Sequence, residues 1–296
     1  HYDAARANEV CEFVEKLPHV KGIWATRGER LKLQPWQVFI LCTVFGWLNS
    51  ADLRRYRTAY VEVPRKNGKS SLSAAVALYC LLMDGETGAE VCAAGTSRDS
   101  SRIIWRTAYE MLQASPELVE AAGLHLMANA IVQPSTNSTF KALSAEERTI
   151  EGKNIHAAFI DELHAHASRA VWDSLENATG ARQQSLTWAI STAGFNQTGI
   201  CYEVRGYLQK ILDKVTPDET FFGVIHCADP DDDWQSPTTW AKANPNLNIS
   251  VFEADLERLA AKAARTPSAQ NTFLTKRLDL WVTTDTALFS MAGWAA

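Results

Sequence analysis

An eight-residue stretch between a predicted strand and a predicted helix constrains this chain more than any other feature. Residues 58–63 (TAYVEV) have the composition of a strand, and residues 70–83 form an apolar run of helical length. The stretch VPRKNGKS over residues 63–70 joins them. A loop in this setting points backbone N–H groups and a helix N-terminus at an anion. The sequence therefore predicts a phosphate-binding loop.

This loop carries the side chains that a nucleoside triphosphate needs. We expect Lys69 to reach the β- and γ-phosphates and Ser70 to hold Mg²⁺. The predicted nucleotide-binding residues of the loop are Pro64, Arg65, Lys66, Asn67, Gly68, Lys69, Ser70 and Ser71. The usual G-x-x-x-x-G-K-[ST] pattern is broken at Val63, which takes the place of the first glycine. An ordinary basic turn is the alternative, because a bare G-K-S tripeptide is common.

A second signal is the run AAFIDE over residues 157–162, an apolar strand that ends in two carboxylates. We expect Asp161 to bind Mg²⁺ through water and Glu162 to polarise the attacking water. Many buried strands end in an acid, so the run is weak alone. It becomes strong when it follows a phosphate-binding loop in the same rhythm of strands and helices.

Three histidines, His156, His164 and His166, flank these carboxylates. An H-x-H pair beside acids can bind zinc, but the spacing does not match the helical H-E-x-x-H pattern. The preferred hypothesis is that the histidines orient the loop that follows the strand.

A third signal is WAISTAG over residues 188–194, a strand that ends in small hydroxyl residues. In a nucleotide-driven motor, Ser191 and Thr192 would sense the γ-phosphate and report it to neighbouring segments. The alternative is a strand end that simply turns at Gly194.

A fourth signal is LQPWQ over residues 33–37, which precedes an apolar helix upstream of the first strand. The Gln37 amide is able to hydrogen-bond an adenine edge in two directions, and Trp36 would pack nearby. The alternative is an ordinary helix start with Pro35 in its first turn.

Strand and helix patterns alternate along the chain, which favours a mostly parallel sheet covered by helices on both faces. We expect strands at 58–63, 90–94, 131–133, 139–143, 156–160, 186–191 and 220–227. Predicted helices are 70–83, 98–114, 168–178, 200–215, 252–265 and 268–280. We divide the chain into an ATPase core with an N-terminal adenine-binding segment (1–199), a smaller lid or linker subdomain (200–284) and the start of a further linker (285–296).

The net charge of 29 − 34 = −5 excludes a wholly basic nucleic-acid binder but leaves room for a local basic face. Residues 27–70 are strongly basic, and the run Arg54-Arg55-Tyr56-Arg57 is a candidate DNA contact or subunit contact. The longest apolar stretches fall well short of the ~20 residues of a membrane span. The six cysteines form no C-x-x-C pair, which favours buried, reduced thiols.

In their order and spacing, the four motifs resemble the large subunit of tailed-phage terminases of the siphovirus type. The resemblance rests on LQPWQ, VPRKNGKS, EGKNIHAAFIDELHAH and ISTAG, and it covers nearly the whole chain. It implies a P-loop NTPase of the ASCE or RecA-like type. It also implies an ATPase that drives double-stranded DNA into a procapsid, and an endonuclease that we expect only in a C-terminal domain missing from this chain.

The resemblance also implies roles for single residues. Gln37 matches the adenine-contacting glutamine, and Arg65 matches an arginine proposed to act in cis. Lys69 and Ser70 match the phosphate-binding lysine and the Mg²⁺ hydroxyl. Asp161, Glu162, Ser191 and Thr192 match the metal acid, the catalytic glutamate and the coupling motif. In related motors, a neighbouring subunit supplies an arginine that stands just before the glycine preceding the Asp-Glu strand. In this chain that place is taken by Glu151-Gly152. Arg148 is therefore the candidate, with Arg98 and Arg102 as the fallback.

The expected cofactor is Mg²⁺, with ATP as the substrate. The implied partners are double-stranded DNA, a portal protein, a small terminase subunit and further copies of the chain in a ring, with a monomer as the expected state in solution and no membrane contact. The implied place is the host cytoplasm, with transient docking on the procapsid. The alternatives are a helicase-like nucleic-acid translocase, which DELH at 161–164 suggests, and a nucleotide-binding scaffold without turnover.

Overall fold

A computed structural model describes residues 1–143, 150 and 152–283 of the chain, without the side chain of Arg98. The strands are β1 (Thr58–Glu62), β2 (Glu90–Ala94), β3 (His125–Met127), β4 (Ala130–Gln133), β5 (Ser138–Ala142), β6 (Ile155–Ile160), β7 (Leu186–Ser191) and β8 (Phe221–Ile225). The helices before β6 are α1 (Ala4–Lys16), α2 (Gly22–Thr26), α3 (Pro35–Gly46), α4 (Lys69–Leu82), α5 (Arg98–Gln113) and α6 (Pro116–Ala121). After β6 come α7 (Ala170–Ala178), α8 (Ile200–Leu212), α9 (Pro237–Ala243), α10 (Glu253–Ala263) and α11 (Pro267–Arg277).

The eight strands form a single sheet in the order β3-β4-β5-β2-β6-β7-β1-β8. Five of the seven strand pairings are parallel, and only β3 with β4 and β4 with β5 run antiparallel. This confirms the predicted mostly parallel α/β sheet. The antiparallel edge has a local cause, because the short turn at 134–137 returns the chain directly from β4 into β5.

Helices cover both faces of the sheet, as continuous apolar strands require. In β1, Ala59 and Val61 pack into a core with α1, α3, α4 and α5, whereas Tyr60 faces the opposite core with α7 and α8. The same alternation places Phe159 of β6 in the first core and Ile160 in the second.

Most predicted elements are present within a few residues of their expected ends. Within the described residues, the structure adds four α-helices and one strand that were not predicted from the sequence, namely α1, α2, α6, α9 and β3. Four of them are short, but α1 had a readable signal. Its buried residues Ala7, Val10 and Val14 recur at helical spacing, and the Asp3 carboxylate caps its first turn.

A third apolar cluster lies apart from the two faces of the sheet, and its residues come from the C-terminal part of the chain. Trp240, Leu256 and Phe273 belong to it, and it begins at Ala228. By contrast, α8 packs into the second core and β8 pairs in parallel with β1. The boundary at residue 200 therefore stays a prediction, and the final segment, 285–296, lies outside the described residues.

Among the described residues, no helix has both the length and the apolar character that crossing a membrane would require.

Candidate functional site

The sheet brings three predicted motifs to one edge. Strands β6, β7 and β1 are adjacent and parallel, so their carboxyl ends lie side by side. The register pairs Glu62 with Ser191 and Ile160 with Ala189. The phosphate-binding loop, the Asp161-Glu162 pair and the Ser191-Thr192 pair follow directly from these strand ends. In open parallel sheets, ligands bind in the crevice outside such carboxyl ends.

The loop between β1 and α4 has the backbone of an anion site. Gly68 is the N-cap of α4 with φ +83°, a left-handed conformation that favours glycine. Lys66 also has a positive φ of +75°. Among the described residues, no side chain caps the start of α4, so its first N–H groups are left for a ligand.

The Lys69 ammonium lies inside this loop. Its Nζ donates to the carbonyl oxygens of Val63 and Pro64, the latter at 3.1 Å. Burial lowers the pKa of Lys69 to about 8, while the nearby Asp279 and Asp161 carboxylates oppose that shift. A phosphate bound in the loop would offer this ammonium an anionic partner in place of two neutral carbonyls.

Ser70 and Asp161 supply oxygen atoms suited to Mg²⁺. The Ser70 hydroxyl oxygen lies 3.5 Å from Asp161 Oδ2. Burial and the neighbouring Glu162 raise the pKa of Asp161 to about 6, because both disfavour its negative charge. One carboxylate and one hydroxyl fit the preference of Mg²⁺ for few protein ligands and several waters.

Glu162 and Arg65 face each other at the mouth of the site. Arg65 Nη2 lies 3.6 Å from Glu162 Oε1, and both side chains are partly exposed. Glu162 has a left-handed backbone with φ +49°, which is uncommon for a residue other than glycine. Such a conformation is costly unless its surroundings hold it, and it is frequent at functional sites.

Ser191 links the strand end to the loop after Asp161. Its hydroxyl oxygen accepts the His164 backbone N–H at 3.0 Å and lies 3.1 Å from His164 Nδ1. Lys276 Nζ of α11 lies 3.0 Å from His164 Nε2 and also donates to the Ala193 carbonyl at 3.1 Å. An ammonium only donates, so Nε2 is the acceptor and Nδ1 carries the proton that Ser191 receives. Burial, then Lys276, lowers the pKa of His164 to about 3 and keeps it neutral.

Thr192, the second residue of the predicted coupling motif, is buried, and its hydroxyl oxygen has no hydrogen-bond partner among the described residues. Its backbone carbonyl accepts the Ser191 hydroxyl at 2.9 Å. Ser191 and Thr192 therefore both lie at the strand end that borders the site. Their hydroxyl groups have different surroundings, because within the described part of the chain the Ser191 hydroxyl is hydrogen-bonded and the Thr192 hydroxyl is not.

Gln37 and Trp36 lie on the other side of the phosphate-binding loop. The Gln37 Oε1 atom accepts the Gln34 N–H at 2.9 Å, which caps α3 and fixes the amide. A cavity of about 260 Å³ is bordered by residues that include Gln34, Gln37, Gly68, Ser71, Asn246 and Ser250, together with His19 and Trp24. The cavity adjoins the loop, so a base held beside Gln37 would be joined to phosphates at the start of α4.

His156 does not lie at this site, contrary to the preferred hypothesis. It is near the opposite end of β6, where its Nε2 lies 2.7 Å from Asp84 Oδ2. Four strand residues lie between it and Asp161, so the two residues lie at opposite ends of the strand. His164 and His166 do orient the loop, and His166 Nε2 lies 3.3 Å from the Asp161 carbonyl. Within the part of the chain that is described, no group of three or more His, Cys, Asp or Glu residues is arranged to hold a metal ion.

The arginines considered for action in trans are described only in part. Arg148 lies outside the described residues, and so does the side chain of Arg98. Arg102 is on α5, where its Nη2 donates to Asn129 Oδ1 at 2.8 Å.

The arginines of the basic run at 54–57 form hydrogen bonds and ion pairs within the chain. Arg54 is buried and contacts both carboxylate oxygens of Asp84 at 2.9 Å. Arg57 donates to the backbone carbonyls of residues 182, 183 and 185. Arg55 pairs with Glu219 at 3.0 Å. These guanidinium groups tie the amino-terminal ends of the strands together and are poor candidates for gripping DNA.

Comparison with known families decides the relationship. The model for the ATPase domain of the terminase large subunit matches residues 35–210, which is more than half of the chain and includes three of the four motifs and the last three residues of LQPWQ. This chain belongs to the terminase large-subunit family. The family model for the terminase endonuclease domain matches residues 214–296. The expectation that the nuclease region lies wholly outside this terminase chain was therefore wrong.

Two curated relatives and two solved structures are similar to this terminase. The large terminase subunit of Enterobacteria phage HK97 is 27% identical over 98% of the chain and 56% of its own length. Protein YmfN of Escherichia coli (strain K12) is 37% identical over 49% of the chain and 32% of its own length. The chain thus spans about half or less of the length of these relatives.

The crystal structure of the HK97 large terminase superposes with a TM-score of 0.81 at 26% identity, covering 98% of this chain and 58% of that one. The ATPase domain of the large terminase from Thermus phage P74-26 gives a TM-score of 0.53 at 14% identity, covering 84% of this chain and all of that one. The second likeness supports the fold alone.

Several polar residues of the C-terminal part reach the site, although the sequence alone did not predict them there. Lys276, Asn244 and Asn246 contact the loop or the strand ends, and buried Asp279 accepts the Ala193 N–H at 2.7 Å. Asn244-Pro245 ends α9 and is typical of a turn, and Arg277-Leu278 ends α11 without a turn signal, so the local pattern gives no sign of a site. Only the fold brings these residues to the phosphate-binding loop.

Proposed function

We propose that this terminase chain hydrolyses ATP to drive double-stranded viral DNA into a procapsid. The observation that carries the proposal is the convergence of the phosphate-binding loop with Asp161 and Glu162 at one sheet edge. Glu162 distinguishes a hydrolase from a mere binder, because a scaffold has no need of an acid that polarises water.

In the proposed mechanism, the adenine lies beside Gln37 and Trp36 and the phosphates lie on the α4 N-terminus. Lys69 leaves the loop carbonyls to pair with the β- and γ-phosphates. Ser70 and Asp161 would hold Mg²⁺, which when bound neutralises developing charge on the phosphates. Glu162 orients the attacking water. Arg65, which now pairs with Glu162, is placed to move to the γ-phosphate in cis.

The Ser191-Thr192 strand end is proposed to couple the site to the rest of the molecule. Ser191 bonds to the loop that carries Glu162 and, through His164, to Lys276 of α11. A change at the γ-phosphate would therefore reach both the sheet and the C-terminal part of the chain.

The proposed partners follow the family: duplex DNA, a portal protein, a small terminase subunit and further copies of the chain in a ring on the procapsid, within the host cytoplasm. An endonuclease function is proposed as well, since the nuclease family model matches residues 214–296. Grip on DNA would rest on phosphate contacts, so affinity should fall steeply with salt.

The experiment is phosphate release from Mg-ATP by wild type and Lys69→Ala, with and without linear duplex DNA. We expect turnover that depends on Lys69 and increases with duplex DNA. ATP binding without phosphate release would favour a nucleotide-binding scaffold. Stimulation by single strands together with unwinding of a forked duplex would favour a helicase-like translocase.

A further inference from the structure

Three buried asparagines join the phosphate-binding loop to the segment 244–250, which follows α9. Asn67 belongs to the loop, whereas Asn244 and Asn246 come from the C-terminal part of the chain. About 180 residues of sequence separate the two sides. Asn67, Asn244 and Asn246 are each at most 5% exposed.

The Asn67 amide is fully used in holding the two sides together. Its Nδ2 donates to the Pro64 carbonyl at 3.1 Å and to Asn244 Oδ1 at 3.0 Å. Its Oδ1 accepts the backbone N–H of Asn246 at 3.0 Å. Asn67 therefore closes the loop on itself and attaches it to the segment.

Asn246 joins three parts of the molecule. Its Oδ1 accepts the indole N–H of Trp36 on α3 at 2.7 Å. Its Nδ2 donates to the Asn67 carbonyl at 3.1 Å and to the Ser250 hydroxyl at 3.2 Å. Ser250 in turn donates to the Lys66 carbonyl at 2.6 Å.

These bonds share one consequence for the loop. The carbonyls of Pro64, Lys66 and Asn67 all accept hydrogen bonds from Asn67, Ser250 or Asn246. A phosphate-binding loop must turn its N–H groups toward the anion and its carbonyls away from it. In this chain the first glycine of the usual pattern is replaced by Val63, and the segment 244–250 fixes the Lys66 and Asn67 carbonyls from outside the loop.

We propose that Asn246 is a positioning residue for nucleotide hydrolysis, which holds the phosphate-binding loop in its anion-binding form and attaches it to the C-terminal part of the chain. The proposal rests on the proposed ATPase function. It implies that nucleotide binding and the position of segment 244–250 are linked, so each changes the free energy of the other.

The test compares Asn246→Asp with wild type in nucleotide affinity and steady-state turnover. The substitution keeps the size and the acceptor for Trp36, but it removes the amide donor and sets a carboxylate against the Asn67 carbonyl. We expect ATP and ADP affinity to fall about 5- to 100-fold, since buried partners lose their hydrogen bonds.

The matched control is Asp255→Ala. Asp255 pairs with Arg277 at 3.2 Å and joins α10 to α11, so its loss weakens the same region without touching the loop. An equal loss of affinity in Asp255→Ala would overturn the proposal, because general destabilisation would then explain both variants. Wild-type affinity in Asn246→Asp, with binding lost in Lys69→Ala, would overturn it and leave the ATPase function intact.

A second measurement needs no variant. Amide hydrogen exchange of the wild-type chain should slow in residues 244–250 when ADP is added, although this segment need not touch the phosphates. Unchanged exchange there, with slower exchange at the start of α4, would contradict the link. Unchanged exchange at both places, together with no measurable binding, would instead count against the proposed function.

Discussion

At the scale of single residues, the site sets charged groups in surroundings that disfavour their charge. Burial lowers the pKa of Lys69 to about 8 and raises that of Asp161 to about 6. Each shift opposes the ionised state that nucleotide binding needs. A phosphate beside Lys69 and a cation beside Asp161 would restore those charges, so binding and protonation are linked.

This linkage predicts a bell-shaped pH profile of kcat/KM for Mg-ATP. Activity should fall below pH about 6, where Asp161 takes up a proton, and above pH about 8, where Lys69 loses one. Bound substrate favours both charged forms, so both limbs should move outward in kcat. Lys69→Arg should remove the alkaline limb, since arginine stays protonated. If the alkaline fall in activity were the same in Lys69→Arg as in wild type, a group other than Lys69 would be responsible for it.

Lys276 gives a second prediction at this scale. Lys276→Met keeps the aliphatic stem but removes the ammonium that faces His164. The pKa of His164 should rise from about 3, although burial still holds it below its ordinary value. Coupling through Ser191 should weaken, lowering kcat by roughly 2- to 30-fold with little change in KM. Histidine NMR titration and steady-state kinetics measure both effects, and an unchanged His164 titration would contradict the assigned contact.

At the scale of elements, parallel strand ends organise the site. The strand before the loop, the strand before Asp161 and the strand before Thr192 were predictable, because each is a short run rich in apolar, aromatic and β-branched residues. Their meeting at one edge follows from parallel pairing. His156 is close to Asp161 in sequence but not in space. It lies near the start of the six-residue strand β6, whereas Asp161 follows the end of that strand.

The contribution of the C-terminal part was not predictable by the same reasoning. Asn244 and Asn246 reach the loop across about 180 residues of sequence, and no period or motif encodes that contact. Likewise, β8 was predicted as a strand of the smaller subdomain, but it pairs with β1 because Thr58–Glu62 leaves that sheet edge open. Such long-range pairings depend on the whole fold.

A prediction for helix α4 concerns Gly68, the residue at its N-terminus. Its φ of +83° at the start of α4 makes Gly68→Ala strained by roughly 1–2 kcal/mol, although a methyl group there meets no atom closer than 3.6 Å. The midpoint of denaturant unfolding should therefore fall modestly, while ATP affinity falls further because the first N–H groups of the helix turn away. Gly85→Ala, at another positive-φ glycine with open space, is the control and should leave ATP affinity unchanged.

At the scale of the whole molecule, the arginines of the basic run at 54–57 make contacts within the chain. Arg54 is buried against Asp84, and Arg57 holds backbone carbonyls of residues 182, 183 and 185. In addition to Arg65 in cis, a second arginine from a neighbouring copy is proposed to complete the charge around the γ-phosphate, with Arg148 as the candidate. A cation supplied in trans is worth about 10³–10⁵ in rate.

This arrangement predicts that turnover per chain rises with protein concentration and then saturates. Arg148→Ala should flatten the rise, and mixing it with Glu162→Gln should recover part of the activity, because each variant then supplies what the other lacks. Turnover that is fast at high dilution and independent of concentration would instead assign the role to Arg65 in cis.

The most direct measurement of the central claim is to compare Mg-ATP binding and phosphate release in wild type and Glu162→Gln. Glu162 stands beside Asp161 but is not needed to hold the phosphates, so the variant should bind ATP within a few-fold of wild type. Its phosphate release should fall by about 10²- to 10⁴-fold if Glu162 polarises the attacking water. Phosphate release at the wild-type rate in Glu162→Gln would contradict the account of this sheet edge as an ATP-hydrolysing site built around that carboxylate.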